Sequence, residues 1–154
     1  MRKRAFSMVE LIFVIVIIGI LSIVAIPKFM RMSDSAKITA DLATASSIQT
    51  VIDTANGEWL INEGNFTWGI NQPRNSLNAQ GFPNVLGTGG KLDYVIRGKK
   101  GTFERYFGND TSIIQRFRSR ATKEVTTQVK NKPDTGDYWE YNATAGTFEL
   151  VENE

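Results

Sequence analysis

Arg2-Lys-Arg-Ala5-Phe6-Ser-Met-Val-Glu10-Leu-Ile-Phe-Val-Ile-Val-Ile-Ile-Gly19-Ile-Leu-Ser-Ile-Val-Ala-Ile-Pro27 is the stretch on which the fold turns. Three basic residues lead it, and the 21 residues from Phe6 to Ile26 then hold a single charge, Glu10. As a helix, such a segment rises about 31 Å, close to the hydrocarbon thickness of a bilayer. A carboxylate near its start needs a reason, because an ionisable group in lipid is costly.

The rest of the composition narrows the classes. Of the 154 residues, about 125 remain outside the apolar segment, enough for one small domain. With no cysteine there is no disulfide and no thiolate metal site, and with no histidine the commonest general base and metal ligand are missing. No constellation suggests an enzyme, a metal or a cofactor. Without Arg2, Lys3 and Arg4 the 18 basic residues fall to 15, against 16 acidic ones. Charge is also segregated: residues 91–132 carry eleven Lys/Arg and four Asp/Glu, while residues 133–154 carry six acidic residues and no basic one.

A cleaved secretory signal fits the opening stretch poorly, since the apolar run is long and no small-x-small site precedes a polar start. A plain single-pass anchor fits length and flanks. The excess of basic residues then places Arg2–Arg4 in the cytoplasm and the chain from Lys28 onward outside. It leaves Glu10 unexplained.

A third reading accounts for Glu10. The basic leader ending at Ala5, the Phe6 that follows, Glu10 four residues on, the long apolar run with Gly19, and Pro27 together resemble the type III leader of type IV prepilins and type II secretion prepseudopilins. Ala5 stands where that family usually has Gly. The resemblance covers residues 1–30. It implies cleavage between Ala5 and Phe6 by a prepilin peptidase, N-methylation of Phe6, and assembly into a helical filament with the apolar helix at its core.

Electrostatics suits the register role that this family gives Glu10. Cleavage would leave an α-amine at the positive end of a helix macrodipole, where an anion is favoured. Glu10 lies one turn on, so a pair between subunits would neutralise both charges and fix axial register. The alternative is an interfacial Glu that snorkels. Leu11–Ile18 is all apolar and rich in β-branched residues, and outside lipid such a helix must be buried by other chains. Gly19 and Ser22, three apart, suit close helix contact or are ordinary membrane-helix composition.

Beyond Pro27, which is expected to kink or interrupt the helix, the pattern turns amphipathic. Ala36, Ala40, Ala43, Ser47, Val51 and Ala55 fall on one stripe, and Ile38, Leu42, Ala45, Ile52 and Trp59 on another. Lys37, Asp41, Thr44, Gln49 and Asp53 lie between them. One helix is therefore predicted from Phe6 to about residue 56, with Gly57 as its stop and Gly64 as a later candidate.

Residues 62–90 hold six Asn, six Gly and two Pro, the chemistry of turns. Phe66, Trp68 and Phe82 are expected to pin this loop. Gly87-Thr-Gly-Gly-Lys91 lacks the spacing of a phosphate loop and reads as a turn. Strands are predicted at Lys91–Arg97, Thr102–Phe107, Glu124–Lys130, Tyr138–Asn142 and Thr147–Val151, the last two joined as a hairpin by Ala143–Gly146. Trp139, Tyr141, Phe148 and Leu150 are the predicted core positions. Ile113, Ile114, Phe117 and Ala121 suggest a short helix between Asp110 and Ala121, with a strand over Ile113–Phe117 as the alternative.

The expected architecture is α+β: a long N-terminal helix on a small antiparallel sheet, as the pilin resemblance also implies. Its divisions are a cleaved leader (1–5), a membrane and filament-core helix (6–26), its amphipathic continuation (27–60) and a loop-and-sheet domain (61–154). Arg116, Arg118 and Arg120 alternate, which reads as a solvated face, or one that meets the acidic tail or a neighbouring subunit, rather than a nucleic-acid site. Asp134 and Asp137 are too few for a calcium site, and Glu63-x-Asn65-x-Thr67 and Glu140-x-Asn142-x-Thr144 match a bacterial glycosylation pattern short enough to arise by chance.

Functionally, the resemblance implies a pseudopilin-like subunit of a type II secretion system; the missing disulfide loop favours a pseudopilin or minor pilin. A type IV pilus subunit for adhesion, motility or DNA uptake is the alternative within the class. From another class, a membrane-anchored binding protein that never polymerises is the competitor. Implied partners are other pilins or pseudopilins, prepilin peptidase and an inner-membrane assembly platform. The implied location is the bacterial inner membrane with the C-terminal domain in the periplasm, and then a pseudopilus or pilus.

Overall fold

The computed structural model describes residues 6–64, 77–86, 103–109 and 111–153. Its elements are α1 (Met8–Ile61), β1 (Phe103–Phe107), β2 (Ile114–Ser119), a single helical turn α2 (Ala121–Glu124), β3 (Tyr138–Asn142) and β4 (Thr147–Val151). The fold is α+β and pilin-like: a long helix, apolar in its first half, packs on a small antiparallel sheet. By contacts the chain divides into two units, Met1–Ser35 and Ala36–Glu154.

Helix α1 starts at a cap the sequence reading missed. The Ser7 hydroxyl accepts a bond from the Glu10 N–H at 3.2 Å, the first half of a Ser-x-x-Glu capping box. The helix passes through Pro27, which is therefore no interruption. The ring only withholds the bond to the Ile23 carbonyl. Gly57 does not stop it either. The end comes where Glu63 and Gly64 take positive φ, 54° and 79°, and the N–H groups of Glu63 and Gly64 bond the carbonyls of Leu60 and Trp59. That is a Schellman closure.

In the second unit α1 buries one line of residues: Asp41, Ala45, Ile48, Ile52 and Ala55. Their spacing alternates four and three, one face of a helix. Of the two predicted stripes, Ala36, Ala40, Ala43 and Ser47 are exposed, and the buried line draws Ala45 and Ile52 from one and Ala55 from the other. Ile48 and Ile52 have no exposed surface. Burying each contributes roughly 1.5–3 kcal/mol.

The sheet runs β1-β2-β3-β4, antiparallel throughout. Period-two alternation sends Gln115, Phe117 and Ser119 of β2, and Trp139 and Tyr141 of β3, inward, and Phe148 of β4 joins them. Trp139 stacks on Phe148 with centroids 5.6 Å apart, and Phe103 and Phe117 meet Phe148 edge-on. These rings and the Ile48–Ile52 face of α1 form one core. The predicted hairpin is present, closed by Gly146 at φ 69° with its N–H on the Asn142 carbonyl. A Cβ at Gly146 would run into the Phe82 ring, so the loop aromatic does pin this corner.

Two expectations are corrected. Residues 114–119 form β2, the strand alternative, rather than a short helix, since Ile114 and Phe117 happen to sit at helical spacing while Gln115, Phe117 and Ser119 alternate inward. Residues 124–130 are not a strand. Val125 is buried, but its carbonyl accepts from the Thr135 N–H at 2.7 Å and closes a loop instead. The predicted strand Lys91–Arg97, the turn at Gly87–Lys91, and Phe66 and Trp68 lie outside the described residues.

Candidate assembly site

The N-terminal unit presents its apolar chains outward. From Phe6 to Ile26 the large apolar side chains are 45–81% exposed. Among the described residues α1 is the one helix long and apolar enough to cross a membrane, with a mean hydropathy of 3.1 in its most apolar window and none of that window buried. Phe6 precedes the helix and is 77% exposed. Glu10 lies in the first turn with its backbone N–H capped by Ser7. Among the described residues no cation pairs with its carboxylate and the reciprocal capping bond to the Ser7 N–H is not formed, which leaves the carboxylate available. A Cβ built on Gly19 meets nothing within 4 Å, so the chain itself leaves that face open. Ser22 turns its hydroxyl back onto the Ile18 carbonyl at 2.7 Å, hiding its polarity within the helix. Ala5 lies outside the described residues. Phe6, Glu10, Gly19 and Pro27 are thus carried on a single segment.

The second unit ties its helix to its sheet with buried polar groups. Asp41 is 1% exposed. Its Oδ2 accepts the Ala121 N–H at 2.7 Å, at the start of α2. Burial raises its pKa, offset in part by hydrogen bonds from Ser119 and the Ala121 N–H and by the nearby Arg120. Gln49 spans the same seam further along: its Oε1 accepts the Phe148 N–H at 2.8 Å and its Nε2 donates to the Gly146 carbonyl at 2.9 Å. Gln115, fully buried, donates to the Asn84 carbonyl at 2.7 Å and accepts the Leu86 N–H at 3.3 Å, holding residues 84–86 against β2. Lys37 of α1 and Arg120 both reach Glu124, at 3.3 and 3.2 Å, and hold its carboxyl below the usual range, the Arg120 bond foremost. A signal for Asp41 existed in its spacing, four before Ala45 and eleven before Ile52, but a carboxylate on that line reads as an interruption rather than as a member.

The other singled-out residues are not brought together with the N-terminal set. Arg116 and Arg118 lie on the outward face of β2, stacked over aromatics: Arg116 over Phe107 at 4.9 Å and Tyr138 at 4.7 Å, Arg118 over Tyr106 at 4.7 Å. Asp134 and Asp137 spend their oxygens on backbone. Asp134 accepts the Val129 N–H at 3.2 Å, and Asp137 accepts the N–H groups of Asp134 at 3.1 Å and Asn153 at 3.0 Å. Among the described residues no group of three or more metal-ligating acidic side chains exists. The Asn142 amide oxygen accepts the N–H groups of Thr144 and Ala145, a turn role that suffices for it; Asn65, in the other glycosylation pattern, lies outside the described residues.

The exposed apolar segment, with its prepilin-like start, is the part of the chain that resembles known proteins. Residues 1–26 match the family model described as the Prokaryotic N-terminal methylation motif. The chain is similar to the Type IV narrow pilus major component PilA5 of Thermus thermophilus, 42% identical over 50 residues, which cover 32% of this chain and 43% of that protein. The match therefore spans less than half the length of that relative. No solved structure matches the chain. The motif and the relative together support a type IV pilin family member.

Proposed function

We propose that this chain is a structural subunit of a helical filament, held in the bacterial inner membrane by residues 6–26 until a prepilin peptidase cuts between Ala5 and Phe6 and methylates the Phe6 amine. The role is structural rather than enzymatic. The observation that carries this reading is the apolar segment left exposed among the described residues, with one carboxylate in its first turn. In lipid a helix satisfies its backbone internally. Withdrawn from lipid, it must be buried against sister helices, and Glu10 then needs a cation. The methylated amine of a neighbour supplies one at the positive end of a helix dipole. The domain from Ala36 onward would face the periplasm, and an assembly platform in the inner membrane would extract the subunit.

Of the two machines open to such a subunit, the type IV pilus is favoured by the relative, which is named as the major component of a narrow pilus. A type II secretion pseudopilus is the second reading. The absence of cysteine favours it, because it excludes a C-terminal disulfide loop. Glu10→Ala tests the shared part. Cleavage should continue while filaments recovered from cells fall to background. Normal filaments from that variant would remove the register role of Glu10.

A further inference from the structure

Charge on the outward face of the sheet is sorted by strand. Arg116 and Arg118 lie on β2, Arg120 and Lys123 follow at α2, Glu140 and Glu149 lie on β3 and β4, and Glu152 comes directly after β4. Most of these pair locally: Arg116 with Glu140 at 2.9 Å, Arg120 with Glu124 at 3.2 Å, and Lys123 with Glu104. Arg118 is different. Its guanidinium rests on Tyr106, and Glu104, opposite it in the β1–β2 ladder, pairs with Lys123 instead. Glu149 is its counterpart. It is exposed, has no basic partner among the described residues, and stands opposite Glu140 in the β3–β4 ladder, where like charges disfavour each other.

Apolar surface is sorted the same way. Tyr106, beside Arg118, and Phe107, beside Arg116, are 46% and 51% exposed. Where α1 meets β4, a groove of about 490 Å³ is lined by Leu42, Leu150 and Val151 and bordered by Glu149 and Glu152. Exposed aromatics beside a cation, and an apolar groove bordered by carboxylates, are the two halves of one interface. They cannot meet within one chain, because β1 and β4 are opposite edges of the described sheet, three strand spacings or about 14 Å apart.

We propose that the β1 edge of one copy seats Phe107 in the α1–β4 groove of the next copy, with Arg118 against Glu149. The occupant is a second copy of this chain, and the contact is heterologous, using two different patches. Repetition of such a contact builds an open helical array rather than a closed dimer. This inference rests on the filament reading, in which all subunits leave the membrane with their helices pointing one way, so that two-fold pairing is excluded. The apolar helices supply adhesion, and the charged rim selects which neighbour and which register.

The chain has no cysteine, so introduced ones report the contact directly. The full-length chain carrying Tyr106→Cys and Val151→Cys is oxidised within recovered filaments. The two positions are beyond the 7 Å limit for a disulfide inside one chain. A ladder of covalent multimers is expected from the double variant and none from either single one. Filaments that form but give no ladder, or that give closed dimers alone, overturn the interface and leave the filament reading standing. An unmodified chain that builds no filament overturns that reading, and the interface with it. In the cysteine-free chain, Arg118→Glu and Glu149→Lys should each lower filament yield several-fold, and the two together should restore it. Equal yields from all three would remove the charge pair from the interface.

Discussion

The two halves of α1 answer the same solvent in opposite ways. Up to Ile26 the helix shows large apolar chains on all sides, Ile15 and Ile23 at 58% and 74% exposure among them. From Asp41 to Ala55 it carries a single buried line, and apart from Leu42 its exposed positions are small or polar. Among the described residues the second half has a buried face and the first has none. A helix apolar all round has to be buried by lipid or by other helices. The domain half needs no partner to satisfy its core, and so it keeps partner-directed features for its surface.

The sharpest way to break this contrast is to make the same cut in both halves. Ile52→Ala removes a fully buried chain and should lower the unfolding free energy by about 2–5 kcal/mol. Ile15→Ala should leave domain stability unchanged and act on assembly alone. Denaturant unfolding of the full chain in detergent, followed by tryptophan emission, measures both. Equal losses from the two variants would mean that the N-terminal half is also part of the folded core.

Asp41 sharpens the same boundary with a smaller effect. Asp41→Ala leaves the buried Ala121 N–H without an acceptor and should cost about 1–3 kcal/mol. Asp41→Asn keeps an oxygen there and should cost less. Smaller again is a pH effect. Burial sets the folded pKa of Asp41 above its ordinary 3.8. The protonated form is therefore favoured in the folded state, and the contribution of this group to stability is greatest below the ordinary value. That contribution is lost as pH rises through the raised one. Relative to Asp41→Asn, the native chain should lose stability as pH rises from acid toward neutral, read as the denaturant midpoint at each pH. A difference that stays flat would place Asp41 at its ordinary pKa.

Legibility in the sequence followed how local each signal is. The long helix and the 138–151 hairpin were readable because periodicity and Gly146 act over a few residues. β2 was misread because Ile113, Ile114 and Phe117 satisfy a helical spacing by coincidence; its inward alternation becomes decisive only once β3 lies beside it. Residues 124–130 were misread for the converse reason. Val125 and Val129 alternate like a strand, yet Thr135 takes the Val125 carbonyl, a partner ten residues away. The buried roles of Asp41, Gln49 and Gln115 are not legible in the sequence because their partners lie 80, 99 and 31 residues off. The N-terminal set was legible for the opposite reason: Phe6, Glu10, Gly19 and Pro27 act through one continuous segment, and Ser7, the residue missed there, adds a cap to the same turn.

The most direct measurement of the role given to the N-terminal half is the mass of the first peptide of the mature chain, taken from cells that carry the processing enzyme. A peptide that begins at Phe6 with a methylated amine is the expected result. An intact Met1, or a start beyond Ile26, would contradict it, because the apolar segment would then be an ordinary anchor or a discarded signal rather than the core of a filament.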